Sequence, residues 1–275
     1  MRRSASAGAV LGLTLALLLA AIAGAGSAAA QSARELLDQV KALNGSTRKW
    51  SDRTQRLTLR ITDRRGNERV RDLVIYMKKY PEDASRSIVF FDSPPEIKGT
   101  GFLQWANAHK PDEQWLYLPE LKRVRQIAAG SKRESFVGTD FSYEDLAIIS
   151  QITDWSEADA STALLRQEEI DGAAAAALEF TPTGKDLGYA RVRIWLRLAD
   201  LVILKFEFDD KKGGVAKVLT ASDIRPVGSI PTAFRFLMQN VQSGSHTTAE
   251  FNTITYDNGL ADDVFTQRML ERGGV

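Results

Sequence analysis

The 275-residue chain carries 36 basic and 35 acidic side chains, two histidines and no cysteine. The absence of cysteine excludes disulfides, thiolate catalysis and a lipobox that could be acylated. The near-neutral balance argues against a protein that binds nucleic acid through bulk charge.

The first thirty residues are set apart. Arg2 and Arg3 precede an apolar run from about Ala7 to Ala23, and Ala28, Ala29 and Ala30 follow. That is the order of a secretory signal peptide. As a membrane anchor the run falls short of the ~20 apolar residues a spanning helix needs. Residues 1–30 are therefore expected to be a cleaved leader, with residues 31–275 forming a single soluble domain. That leader contains two arginines and no acid, so the remainder holds 34 basic and 35 acidic side chains.

Ser32 to Leu43 has the spacing of an amphipathic helix, with Leu36, Leu37, Val40 and Leu43 on one face. Ser32 and Glu35 stand where a capping box places them, and Asn44-Gly45 ends the pattern. The period then changes to two. Leu57, Leu59 and Ile61 alternate with polar residues, a turn follows at 63–67, and a second strand runs over 68–78. Further strands are expected at 86–91, 101–107, 114–118 and 122–127. In the last pair, a loop centred on Glu120-Leu121 sets Leu118 opposite Arg123, Tyr117 opposite Val124 and Leu116 opposite Arg125. This register puts Trp115, Tyr117 and Val124 on the buried face and Arg123 and Arg125 on the wet one.

Residues 135–145 read as a loop entering a helix near Tyr143. Strands resume at 164–168, 175–181, 190–198, 202–209, 216–222, 231–241 and 247–256. Val202, Leu204, Phe206 and Phe208 are expected on one face, as are Phe234, Phe236 and Met238. Ten to twelve strands in hairpin order, with few helices, describe one mainly β domain whose sheet is antiparallel. Neither a linker nor an internal repeat divides it.

The chain offers little chemistry. His109 and His246 sit among polar residues, and no P-loop, G-x-S-x-G or G-x-G-x-x-G string occurs. No metal site, cofactor or catalytic centre is expected. The acidic pairs Asp209-Asp210 and Asp262-Asp263 fit solvated strand ends. Glu144-Asp145 could serve acid–base work, but capping or pairing with an arginine explains it more simply.

Several strings resemble a known family. They are SPPEIKGTGFL (93–103), QWLYLPELKRVRQI (114–127), FVGTDFSYEDL (136–146), GYARVRIWL (188–196) and DDVFTQRML near the end. Together they resemble the outer-membrane lipoprotein-sorting-protein-like family, relatives of the LolA-like periplasmic carriers, over about residues 50–270. The resemblance implies a strongly curved, incompletely closed antiparallel β-barrel with helices plugging its concave side (LolA/LolB-like). It also implies a carrier in the periplasm of a Gram-negative bacterium, not lipid-anchored and touching membranes only transiently. Its partner would be a lipid or an acylated protein. The LolA-type arginine that hydrogen-bonds the lid finds no matching motif here.

On this reading Leu57, Leu59, Trp115, Tyr117, Phe206, Phe208, Phe236 and Met238 are the expected lipid-binding residues. Phe136, Phe141, Tyr143, Glu144 and Asp145 are the expected lid or docking segment. The alternative is a non-enzymatic accessory protein that docks on an inner-membrane exporter of the resistance-nodulation-division type.

Overall fold

Alternation of apolar and polar residues turns the chain into strands almost as soon as its first helix ends. The computed structural model describes residues 32–82, 84–107, 110–184 and 186–274. The expected leader and His109 lie outside the described residues. Helix α1 spans Ala33–Gly45 and closes with the expected capping box: Ser32 Oγ accepts from the Glu35 amide at 3.2 Å, and the Ser32 amide donates to Glu35 Oε2 at 2.7 Å.

Six strands follow: β1 (Asp52–Thr62), β2 (Glu68–Lys79), β3 (Ser85–Ser93), β4 (Gly101–Ala106), β5 (Glu113–Leu118) and β6 (Arg123–Gln126). A 3-10 turn at Phe136–Gly138 leads into helix α2, Tyr143–Gln151. The second set is β7 (Ala160–Ile170), β8 (Ala173–Pro182), β9 (Tyr189–Arg197), β10 (Ile203–Asp210), β11 (Val215–Val227), β12 (Ile230–Asn240) and β13 (Ser245–Tyr256). A 3-10 turn at Asp262–Phe265 and helix α3, Gln267–Arg272, come last.

All thirteen strands belong to one antiparallel sheet of order β6-β5-β4-β3-β2-β1-β13-β12-β11-β10-β9-β8-β7. Pairing of β1 with β13 joins the two hairpin series, and the barrel stays open between β6 and β7. Both free edges are blunted by charge: Arg123 and Arg125 on four-residue β6, and Arg166, Glu168 and Glu169 on β7. Register shifts in β1/β13, β2/β3, β9/β10, β10/β11 and β7/β8 mark bulges, which bend a sheet.

The predicted register of the β5–β6 hairpin is observed, with Leu118 opposite Arg123, Tyr117 opposite Val124 and Leu116 opposite Arg125. One expected face is not. Phe206 and Phe208 share a side, but Leu204 lies on the other one beside Trp195, because the register slips between Ile203 and Lys205. Asp209 is also no solvated turn residue: it is buried, with Arg193 Nη2 at 2.5 Å and Arg191 Nη2 at 3.0 Å.

The two faces of the sheet are covered differently. One continuous apolar cluster draws side chains from both strand series, from Leu57 to Ala249, together with α1, α2 and the 136–141 turn. That is the concave side. Two separate clusters occupy the opposite face. One is formed by Val74, Ile88, Phe90, Leu103 and Trp115 under Val264, Phe265 and Leu270. The other is formed by Ala175, Ala177, Trp195 and Leu204. The Ala173–Ala177 run is a strand, and Ala175, Ala176 and Ala177 are enclosed from both sides.

Candidate functional site: the concave face and its lid

The concave face is built by the inward phase of nearly every strand. Leu57 and Leu59 on β1 face the same cluster as Leu73 on β2, Phe206 and Phe208 on β10, and Met238 on β12. Phe236 packs against its margin and meets Phe251 with ring centroids 5.8 Å apart. Six of the eight predicted lining residues are thus brought together. Trp115 and Tyr117 are not. They lie on the convex face, where Trp115 meets Trp105 edge-on at 5.0 Å. Their register is as expected, but alternation alone does not say which side of a curved sheet a phase will face.

This face is filled by the protein's own side chains. Leu36, Leu37 and Val40 of α1 and Ile148 of α2 enter the cluster, and Phe208 and Met238 have no solvent exposure. The cover over β3 and β4 is the 135–152 segment. Its turn closes on itself: the Phe136 amide donates to the Phe141 carbonyl at 2.7 Å, and Thr139 Oγ1 donates to the Phe136 carbonyl at 2.8 Å. Val137 adopts φ 47° and Gly138 φ 72°, left-handed conformations that drop Phe136 inward. Phe136 then meets Phe102 at 5.2 Å, Tyr143 at 5.6 Å and Phe91 at 6.0 Å. Offset and edge-on pairs of this kind add to simple burial.

Polar latches hold the segment from three sides. Arg71 on β2 donates from Nη1 to the Val137 carbonyl, and Arg69 reaches the Gly138 carbonyl at 3.4 Å. Asp140 accepts from Thr247 Oγ1 at 2.6 Å and from Ser245 Oγ, both on β13. Asp145 closes a capping box with Ser142 and also accepts from Lys217 Nζ at 2.6 Å and Tyr189 Oη at 2.6 Å. Glu144 accepts from the Gly188 amide at 3.0 Å. A Cβ at Gly188 would stand 2.8 Å from Glu144 Oε2, so any larger residue there would push the carboxylate aside. Burial raises the Glu144 carboxyl above its usual range against the opposing Gly188 amide and Arg133. Burial, together with Asp145, also pushes the Tyr189 hydroxyl upward.

All five residues expected in a lid or docking segment, Phe136, Phe141, Tyr143, Glu144 and Asp145, are buried. They form the underside of the 135–152 segment and present no outward docking face. The oxygens of the Glu144-Asp145 pair are engaged by the fold, as the capping reading anticipates. Arg71 was not singled out from the sequence. Its signal is phase: it stands in register with Leu73, Ile75 and Met77 on the inward side of β2, yet it is only 7% exposed. An arginine of the sheet therefore does reach the 135–152 segment.

Among the described residues no helix is long and apolar enough to cross a membrane. No curated protein matches the chain. Solved structures do. An outer membrane lipoprotein-sorting protein domain from Vibrio parahaemolyticus is 28% identical, with 86% of this chain and 98% of that one covered at a TM-score of 0.78. A DUF1329 family protein from Desulfovibrio piger is 27% identical over 86% and 97%, with a TM-score of 0.79. A LolA superfamily protein from Nitrosomonas europaea shares the fold at 18% identity, 86% and 99% coverage and a TM-score of 0.67. A family model described only as Uncharacterized protein matches residues 83–272. That match spans more than half of the sequence, and with these structures it shows that the chain belongs to the outer-membrane lipoprotein-sorting-protein-like family.

Proposed function

We propose that this protein is a periplasmic carrier that lays the acyl chain of a lipid or lipoprotein against the concave face of its sheet and moves it between envelope membranes. One observation carries the reading. An apolar face fed by both strand series is covered by a short segment with polar latches along its rim, where a second sheet could have covered it permanently. Each latch hydrogen bond is worth about 0.5–1.5 kcal/mol against water. A sixteen-carbon chain gains on the order of 12 kcal/mol on leaving water, at ~0.8 kcal/mol per methylene. Displacing the lid also exposes Phe136, Phe141 and Tyr143, at about 1.5–3 kcal/mol each, so lid and cargo compete on comparable terms and the lid re-covers the face after release. Leu57, Leu59, Phe206, Phe208, Phe236 and Met238 are the proposed acyl contacts, and Phe136, Phe141 and Tyr143 are the displaced cover.

Similarity to a lipoprotein-sorting protein domain and the membership of the chain in this family support the reading. An exporter-docking role would have to use exposed Arg123 and Arg125 on β6, since Glu144 and Asp145 are buried. Native mass spectrometry of the protein taken from a cell-envelope extract, followed by organic extraction, tests the proposal. Fatty acid or phospholipid bound at one copy per chain is expected. Protein that stays empty when offered single-chain lipids would refute it.

A further inference from the structure

Arg53 is a second inward arginine, and the lid does not use it. It lies on β1 in phase with Gln55, Leu57 and Leu59, so its side chain enters the same face at the end where α1 stops. At a rise of about 3.3 Å per residue it stands roughly 13 Å from Leu57 along the strand. Its neighbours across the sheet are Met77 and Tyr256.

The guanidinium is poorly satisfied. Nε is shut off from solvent with no hydrogen-bond partner, and Nη2 has only the Met77 sulfur at 3.5 Å. The Trp50 ring lies 5.0 Å away, and Lys79 places its ammonium 4.2 Å from the same ring. No carboxylate pairs with Arg53 among the described residues. Asp52 beside it in the chain and Asp257 beside its cross-strand partner Tyr256 are occupied elsewhere: Asp52 accepts from the amides of Asn258, Gly259 and Leu260, and Asp257 accepts from that of Ser51. Burial lowers the pKa of Arg53 more than the neighbouring Tyr256 hydroxyl raises it. A half-buried cation with no carboxylate beside it costs stability unless an anion completes it.

We propose that Arg53 anchors the anionic head, phosphate or carboxylate, of an amphipathic ligand whose hydrocarbon lies on the concave face. The proposal rests on the carrier reading and gives that site a polarity. The tail runs inward past Gln55 toward Leu57 and Leu59, and the head remains at the mouth between Trp50, Arg53 and Tyr256. A guanidinium suits this role because its fork meets two oxygens at once.

The test measures binding of a monoacylglycerol phosphate and of the neutral monoacylglycerol with the same chain, in the wild type and in Arg53→Met. The wild type should prefer the anionic lipid by about tenfold or more, a ratio within reach of one charge-assisted hydrogen bond. Arg53→Met should bind both lipids alike, with neutral-lipid affinity unchanged and a melting temperature equal to or above that of the wild type. Arg53→Lys, which keeps the charge and loses the fork, should show a reduced preference and serves if Arg53→Met does not fold. Equal binding of the two lipids by the wild type, or a preference that survives in Arg53→Met, overturns the headgroup site while leaving the carrier intact. Failure of both lipids to bind overturns carrier and site together. Displacement of the anionic lipid by millimolar inorganic phosphate would assign the site to the free anion and overturn the lipid source.

Discussion

Two short segments cover the two faces of one sheet, and they do it by different physics. The C-terminal segment seals the β2–β5 part of the convex face with apolar plugs: Phe265 and Leu270 are completely enclosed and Val264 nearly so, with Trp105 Nε1 donating to the Phe265 carbonyl at 3.0 Å. The 135–152 segment also buries aromatic rings, but its rim is tied by Arg71, Asp140, Glu144 and Asp145 to four strands, β2, β9 with its entry loop, β11 and β13. Apolar burial is lost outright when a cover lifts. Hydrogen bonds and ion pairs are exchanged for water at small net cost. On the proposed carrier reading, the convex cover stays and the concave cover moves.

That contrast can be broken by substitution. The largest effect is expected at Phe265→Ala, about 3–5 kcal/mol of stability in chemical denaturation, the usual range for emptying an enclosed aromatic site. Acyl binding per folded molecule should be unchanged, and loss of binding in a folded variant would show that the faces are wrongly assigned. Asp145→Asn comes next. It leaves the Lys217 ammonium without its acid, at a cost of about 2–3 kcal/mol, below the ~3–5 kcal/mol of a fully enclosed pair because Lys217 keeps some contact with water. Hydrogen exchange should report faster opening of α2 in this variant, with β8–β10 still protected.

Arg71→Met sharpens the comparison at about 1 kcal/mol, the value of its hydrogen bond to the lid. Its expected signature is kinetic: faster uptake of a fluorescent fatty acid in stopped flow, with little change in melting temperature. Unchanged uptake would demote Arg71 from latch to ordinary packing. The smallest effect belongs to Glu144→Gln. The folded carboxyl is raised, so the folded state holds the extra proton and wild-type stability falls as pH climbs from about 4, the ordinary glutamate range, through the raised value. The glutamine variant should lack that slope and be equal to or slightly more stable than the wild type above it. A wild-type slope of the opposite sign in denaturation curves would contradict the assignment.

Much of this was legible in the sequence, and the exceptions have physical causes. The Ser32–Glu35 capping box and the β5–β6 register follow from local rules, and the structure obeys them. Each of the thirteen strands overlaps a segment that alternation marks in the sequence, although the total was put at only ten to twelve. Trp115 and Tyr117 were placed on the ligand face because alternation separates two sides of a strand without saying which is concave. Both sides of β4 are covered, Phe102 inward and Leu103 outward, so burial could not decide either. Arg53 and Arg71 escaped notice for a related reason. An arginine in a strand reads as solvent-facing, and only its phase with apolar neighbours two residues away shows that it points in.

The central claim is that hydrocarbon is held on the concave side. Trp155 belongs to that cluster, edge-on to Phe180 at 6.0 Å, whereas Trp115 belongs to the convex one. Titration with a fatty acid brominated along its chain should quench wild-type tryptophan fluorescence. Trp155→Phe should remove most of that quenching and Trp115→Phe should leave it in place. Quenching that disappears with Trp115, or none at saturating lipid, would contradict the account.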